Sequence, residues 1–366
     1  MRIAINGRFY GAPITGVQRF AREVVRRIAA RANVIVMLPR GVNGPPFDGG
    51  VPVLTGSLAG HLFEQLEFPR LARRERCDVC LNLSGTVPGW GGPHVAVVHD
   101  VLPLTHPEWY SPPFSMWYRW AVGRNAPLAA RLITVSRWSA GQIAARLGLD
   151  ADRIVVAGQG LSPFDEPADE QTVARVRHRY DLPSRFVLAA GYGDPRKNVS
   201  FAIEIMQEWW RRDADAPALV ILGQTLPRVH GRSVPPVSTE RLRVLGRVDD
   251  EEMRALYTAA CAFVFPSFAE GFGRAPLEAA ACGTPSVVGP YGAASEILRD
   301  GAVILPLDVG AWIAQLRAIT VDGKRRDALV ARGRMVARTC SWDDAAERVL
   351  GTCMDVAGRA PAVLGV

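Results

Sequence analysis

The sequence predicts an α/β fold of two doubly wound parallel sheets, and three observations predict it. Short apolar strands alternate with helical patterns along almost the whole chain. The alternation is interrupted once, by Ser162-Pro-Phe-Asp-Glu-Pro-Ala-Asp-Glu170, whose two prolines and four acids are linker chemistry. A chain of 366 residues with 48% apolar content can bury two separate cores. In the amino-terminal half, strands are expected at 2–6, 34–38, 79–83, 95–98, 132–135 and 154–156, with helices notably at 18–30 and 61–74. The Gly- and Pro-rich segment 41–60 reads as loop around a weak strand at 51–54. After the linker, strands are expected at 186–190, 218–222, 262–265, 286–288 and 303–305, and a surface loop at 230–238. The domains so predicted span 1–160 and 161–340.

Composition excludes several classes. No uninterrupted apolar stretch approaches the roughly 20 residues that span a bilayer. Met1-Arg-Ile-Ala-Ile-Asn6 runs straight into a strand without a signal peptide, so the expected location is cytoplasmic. Six cysteines then imply no disulfides. Cys77-Asp-Val-Cys80 opens a strand and has no second CxxC or His pair, so buried thiols are expected there rather than zinc. Cys261 and Cys282 read as small core residues.

The net charge of +7 is uneven: residues 1–160 hold 18 arginines, no lysine and 10 acids, whereas the remainder is close to neutral. Arg19, Arg22, Arg26, Arg27 and Arg31 fall on one expected helix, and Arg70, Arg73, Arg74 and Arg76 on another. Two readings stand: solvated helix faces, or peripheral docking on an anionic membrane surface. Nucleic acid is not expected, because no recognition motif or interleaved aromatics accompany the arginines. Trp109, Tyr110, Trp117, Tyr118 and Trp120 form an aromatic stretch whose helical spacing favours a core role over a membrane-facing lip.

The most informative segment is Glu270-Gly-Phe-Gly-Arg-Ala-Pro-Leu-Glu278. It follows the buried strand 262–265, so Glu270 lies at the carboxyl end of a parallel strand, where open α/β sheets bind ligands. Pro276 suits the first residue of a helix, which places Glu278 in its first turn. Gly271 and Gly273 admit close backbone approach, and the helix N-terminus offers N–H groups to a phosphate. Two carboxylates around such a nest suit a sugar nucleotide. Gly191-Tyr-Gly-Asp-Pro-Arg196-Lys197 is a second phosphate-cradling loop after a strand. Its partial G-x-G-x-x-G has Arg196 at the third position and no convincing ribose acid downstream, which weakens an NAD-dependent oxidoreductase reading. A glycoside hydrolase would need both carboxylates flanking one bond.

Within EGFGRAPLEAAACGTPSVV, the Glu-x7-Glu spacing is similar to the signature of retaining glycosyltransferases of family 4, and the resemblance covers nearly the whole chain. It implies the GT-B fold, two Rossmann-like domains facing a central cleft, with closing helices at about 341–366 returning to the amino domain. It implies hexose transfer, with retention, from a nucleoside-diphosphate sugar to a glycan or polyprenyl-diphosphate-linked acceptor, without cofactor or metal. Glu270 and Gly271, Phe272, Gly273 and Arg274 are expected at the donor hexose and diphosphate, and Glu278 at the ribose. Lys197 takes the basic position of the diphosphate loop, and the second cation stays open among Arg196, Arg247 and Arg274. Val248 resembles the position whose backbone meets the base, and Gly16 lies in the flexible amino-terminal loop. Arg19 reads equally as a phosphate contact or an exposed helix charge. His99 and Asp100, at the carboxyl end of strand 95–98, are expected beneath the donor sugar, while His94 and His106 read as structural. Closure of the domains is expected to exclude water. The His-Asp-x-x-Pro-Leu and Asp-Pro-Arg-Lys-Asn runs look most like bacterial mannosyl- and rhamnosyltransferases, so GDP-mannose is the expected donor. A non-catalytic sugar-nucleotide-binding partner is the alternative.

Overall fold

The computed structural model describes residues 1–44, 50–164, 166–224, 227–230 and 238–359. Most of the loop expected at 230–238, residues 45–49 of the 41–60 segment, linker residue 165 and the last part of the closing helix lie outside them. The chain divides into two compact units. One comprises Met1–Thr105, Pro112–Gly160 and the segment from Ser341; the other comprises His106–Ser111 and Leu161–Cys340.

The first unit carries seven strands: β1 (Ile3–Asn6), β2 (Val34–Leu38), β3 (Val53–Thr55), β4 (Val79–Asn82), β5 (His94–Val97), β6 (Arg131–Thr134) and β7 (Ile154–Val156). All pair in parallel in the order β3-β2-β1-β4-β5-β6-β7. Central strands β1, β2 and β4 are buried along their whole length, as continuous apolar runs covered on both faces must be. Edge strand β3 alternates with solvent, which is why it reads weakly in sequence. The helix Gly16–Ala29 opens with a Thr15–Gln18 capping box and buries Phe20, Val24, Val25 and Ile28. Against it lies the helix Trp342–Arg359: Trp342 meets the Phe20 ring at 5.9 Å, and Arg31 bonds Asp343 at 2.6 Å. A Cβ on Gly160 would lie 2.4 Å from Trp342 Cγ, so only glycine fits there.

The helix expected at 61–74 is not uniform. Helical turns at Gly60–Leu62 and Phe68–Arg74 flank a π-helical segment, Phe63–Glu67. Pro69 has no N–H to return to the Gln65 carbonyl, and Trp90 Nε1 donates to that oxygen instead, at 2.7 Å. The aromatic stretch departs from its expected core role: Tyr110 is buried and Trp117 and Tyr118 half-buried, but Trp120 is exposed.

The second unit has six parallel strands: β8 (Phe186–Tyr192), β9 (Ala218–Gly223), β10 (Leu242–Leu245), β11 (Ala262–Phe265), β12 (Ser286–Val288) and β13 (Val303–Ile304), ordered β10-β9-β8-β11-β12-β13. Strand β10 was not expected. It is an edge strand, and Arg243 in its middle breaks the apolar run. Trp209, Trp312, Val187, Ile221, Val264 and Val287 anchor the core.

Both sheets share one topological property. Strand order reverses between β1 and β4 in the first and between β8 and β11 in the second. Connections leaving those neighbours depart to opposite faces, so a crevice opens at their carboxyl ends.

Candidate active site

The crevice of the second unit holds the two loops singled out above. Gly191, at the end of β8, has φ +103°, and a Cβ there would lie 2.3 Å from Lys197 Cγ. Glycine is therefore required for the lysine stem to lie against the backbone. The turn continues through Pro195–Lys197, capped by Asp194 Oδ1 accepting from Arg196 N–H at 3.0 Å. Lys197 Nζ reaches across to Glu270 Oε1 at 2.5 Å and stands 4.6 Å from the centre of the Phe265 ring. Ser267 Oγ donates to the same Glu270 oxygen at 2.7 Å, and Phe268 N–H donates to the Arg196 carbonyl at 2.8 Å. Since Val264 of β11 pairs with Ala189 of β8, the lysine loop and glutamate loop leave neighbouring strands and are stitched together above them.

Beyond Glu270, Phe272 is buried and Gly273 adopts φ +81° as the N-cap of the helix Arg274–Ala281. A Cβ on Gly273 would meet the Tyr291 hydroxyl at 2.2 Å. Pro276 is the third residue of this helix, not the first, and Glu278 lies one turn in. The substitution of position is permissible because none of the first N–H groups has an intrahelical acceptor. Arg274, four residues earlier, donates through Nε to Glu278 Oε1 at 2.8 Å and through its terminal nitrogen to the same oxygen. Tyr257 Oη donates to Glu278 Oε2 at 3.2 Å. Burial, and then the Glu278 charge, push the Tyr257 phenol well up, so it remains a donor.

Two of the three cations left open by sequence are already engaged. Arg196 grips Asp194 with Nε to Oδ1 at 3.0 Å and Nη2 to Oδ2 at 2.6 Å, and its guanidinium lies 5.8 Å from the Tyr110 ring centre. Burial alone would raise the Asp194 carboxyl, but Arg196, then Lys197 and His230, outweigh it and bring it down to about 2. Arg274 is held by Glu278, and Arg247 is exposed between β10 and the helix Asp250–Ala259. Val248, half-buried, directly precedes the Asp249 cap.

In the first unit, His99 and Asp100 follow β5. The His99 ring meets Phe20 edge-on at 5.1 Å, and its Nε2 is buried without a hydrogen-bond partner among the described residues. Burial lowers its pKa to about 4, so the imidazole is neutral near pH 7. Asp100 Oδ1 accepts from Leu102 N–H at 3.0 Å, capping a short helix. Gly16 is the exposed first residue of its helix, with no atom within 4 Å of where a Cβ would stand. His94 is enclosed between Asn82 at 3.1 Å and the Trp90 carbonyl at 2.8 Å. Cys77 and Cys80 are free thiols.

Sequence reasoning missed Tyr257, Ser267 and Tyr291. Tyr257 lies 21 residues from the glutamate it bonds, a separation governed by no spacing rule. Tyr291, after β12, was findable by the strand-end logic that pointed to Glu270. Its hydroxyl is buried with no hydrogen-bond partner among the described residues, and the Glu270 charge adds to burial in raising its pKa.

Two doubly wound sheets of seven and six parallel strands, with a basic turn and a glutamate loop at one reversal of strand order, define a GT-B architecture. Solved structures share it. Sucrose-phosphate synthase from Thermosynechococcus elongatus superposes with a TM-score of 0.73 at 19% identity, over 98% of this chain and all of that one. An Anabaena protein solved with UDP-glucose gives 0.70 at 16% identity, over 97% of this chain and all of that one. Residues 14–163 match the family model Glycosyltransferase Family 4, and residues 170–336 match Glycosyl transferases group 1. O-antigen chain mannosyltransferase B of Escherichia coli is 28% identical over 91% of this chain and 94% of its own length. D-inositol 3-phosphate glycosyltransferase of Salinispora tropica is 32% identical over 64% of this chain and 52% of its own. The chain belongs to these glycosyltransferases.

Proposed function

We propose that this enzyme transfers mannose from GDP-mannose, with retention at the anomeric carbon, to a glycan or polyprenyl-diphosphate-linked acceptor in surface polysaccharide assembly. The observation carrying the reading is the Lys197–Glu270 pair at the β8/β11 reversal, the place where a doubly wound sheet receives a nucleotide. The likeness to the E. coli mannosyltransferase along nearly the whole chain supports the sugar. A departing diphosphate gathers negative charge, which preorganised cations and N–H donors stabilise. In this reading Lys197 meets the diphosphate, aided by the N–H groups of Gly271–Arg274 at the head of the helix. Glu270, released from the ammonium, accepts from a hexose hydroxyl. Glu278, held by Arg274 and Tyr257, takes the ribose diol. Neutral His99 hydrogen-bonds a sugar hydroxyl, and Asp100 positions it.

Calorimetric titration with GDP-mannose, UDP-glucose and dTDP-rhamnose tests the donor, with GDP-mannose expected to bind most tightly. Glu278→Ala is expected to weaken that binding at least tenfold; unchanged affinity would remove the ribose assignment. Glu270→Ala is expected to lower turnover about 10²–10³-fold. Wild-type turnover in that variant would overturn the central role.

A further inference from the structure

We propose that Tyr291 is a positioning residue for Glu270: its hydroxyl becomes the partner of that carboxylate when Lys197 turns to the diphosphate. The proposal rests on the donor reading above for what draws the ammonium away.

A phenol enclosed by protein ordinarily bonds something, because an interior hydrogen bond left unmade is costly. Tyr257, 1% exposed, obeys this by donating to Glu278. Tyr291, 2% exposed, does not: its hydroxyl has no hydrogen-bond partner among the described residues. The sheet sets its position. Val288 of β12 pairs with Phe265 of β11, so Tyr291 and Glu270 leave adjacent strands at the same end. The tyrosine ring meets Phe265 edge-on, with centres 5.8 Å apart, and Lys197 Nζ stands 4.6 Å from the centre of that same Phe265 ring. The hydroxyl abuts the backbone of Gly273, just beyond Glu270 on the same loop, closely enough that a Cβ there would collide with it. Phenol, ammonium and glutamate loop thus crowd around a single aromatic ring.

Glu270 has room for a further donor. Lys197 at 2.5 Å and Ser267 at 2.7 Å both bond its Oε1, while Oε2 makes no hydrogen bond among the described residues. The residue is 8% exposed, so a diphosphate that takes the ammonium leaves a buried carboxylate with the Ser267 hydroxyl, a neutral donor. Such a group needs another hydrogen bond to stay charged. The phenol supplies it. Burial, and then the Glu270 charge, raise its pKa well above the ordinary value, so it keeps its proton and donates. The two deficits cancel: a hydroxyl lacking a partner and a carboxylate losing its counter-charge satisfy each other. Glu270 thereby keeps a fixed orientation toward the hexose.

Fluorine NMR of the intact enzyme carrying fluorotyrosine tests the proposal, the Tyr291 resonance being identified by its loss in Tyr291→Phe. That resonance is expected to move when GDP-mannose is added. It is expected to move likewise in Lys197→Ala without donor, where the carboxylate has lost its ammonium. Tyr291→Phe removes a hydroxyl that has no partner, so its urea midpoint is expected to equal or exceed that of the wild type. In the Lys197→Ala background the same change is expected to lower the midpoint, a coupling that a merely structural tyrosine would not show. GDP-mannose affinity, by calorimetry, is expected to fall about tenfold in Tyr291→Phe, as for loss of a hydrogen bond to a charged group. A resonance unmoved in Lys197→Ala, or a Tyr291→Phe change equally harmless in both backgrounds, would overturn the proposal. Movement in Lys197→Ala with no response to GDP-mannose would uphold it and count against the donor reading instead.

Discussion

The two crevices of this molecule have the same topology and opposite contents. At the β1/β4 reversal, Glu64 accepts from Asn6 at 3.3 Å, Arg8 at 2.6 Å and Thr86 at 2.6 Å, while Asn6 also donates to Asn82 at 3.2 Å. Asn6, Glu64 and Asn82 are fully buried, so this polar network is closed and self-satisfied. At the β8/β11 reversal, glycines at φ +103°, +91° and +81° line the loops, one ammonium meets one carboxylate, and the Tyr291 hydroxyl has no hydrogen-bond partner among the described residues. A reversal of strand order creates a place for polar groups. Whether it serves stability or ligand binding depends on whether those groups satisfy one another.

The comparison breaks most sharply at Glu64. Glu64→Ala takes the shared carboxylate from part-buried Arg8, which keeps only Thr86, and from buried Asn6, and is expected to cost about 3 kcal/mol of unfolding free energy. Lys197→Ala is expected to cost far less stability and to fall mainly on donor affinity. Urea denaturation alongside donor titration distinguishes the two, and a similar stability loss in both variants would erase the contrast. Next comes Gly273→Ala, which forces a side chain into a left-handed backbone and against Tyr291. It is expected to cost about 1–3 kcal/mol, and pairing it with Tyr291→Phe, which removes the opposing oxygen, is expected to recover part of that loss in thermal melts.

Acid titration gives the smallest and most graded effect. His99 has a folded pKa of about 4, below its unfolded value near 6.5. The unfolded chain therefore takes up this proton first, and stability declines as pH falls from about 6.5 to about 4. Asp194 is depressed to about 2, as is Glu64, where Arg8, then His61 and Thr86, outweigh burial. Their contribution is present above about pH 4 and is lost between about 4 and 2. His99→Gln is expected to flatten only the upper part of the denaturation profile; an unchanged upper part would show that His99 is not protected from protons.

Most of the strands were legible because buried parallel strands are continuous apolar runs, and Glu270, Lys197 and their glycines because strand ends announce a crevice. Strand β10 was illegible because an edge tolerates Arg243. The occupation of Arg196 by Asp194 is a tertiary choice between a ligand and a neighbour two residues away, and no spacing distinguishes them. Exposure of Trp120 escaped because helical spacing marks a face without saying what covers it.

The return of the helix Trp342–Arg359 to the first sheet bears on how this chain can be divided. A cut near Gly160 leaves Phe20 without Trp342 and Arg31 without Asp343, so an amino-terminal fragment ending there lacks part of its own wall. A self-sufficient first half must be assembled from discontinuous stretches, for example by circular permutation that joins the closing helix ahead of Met1.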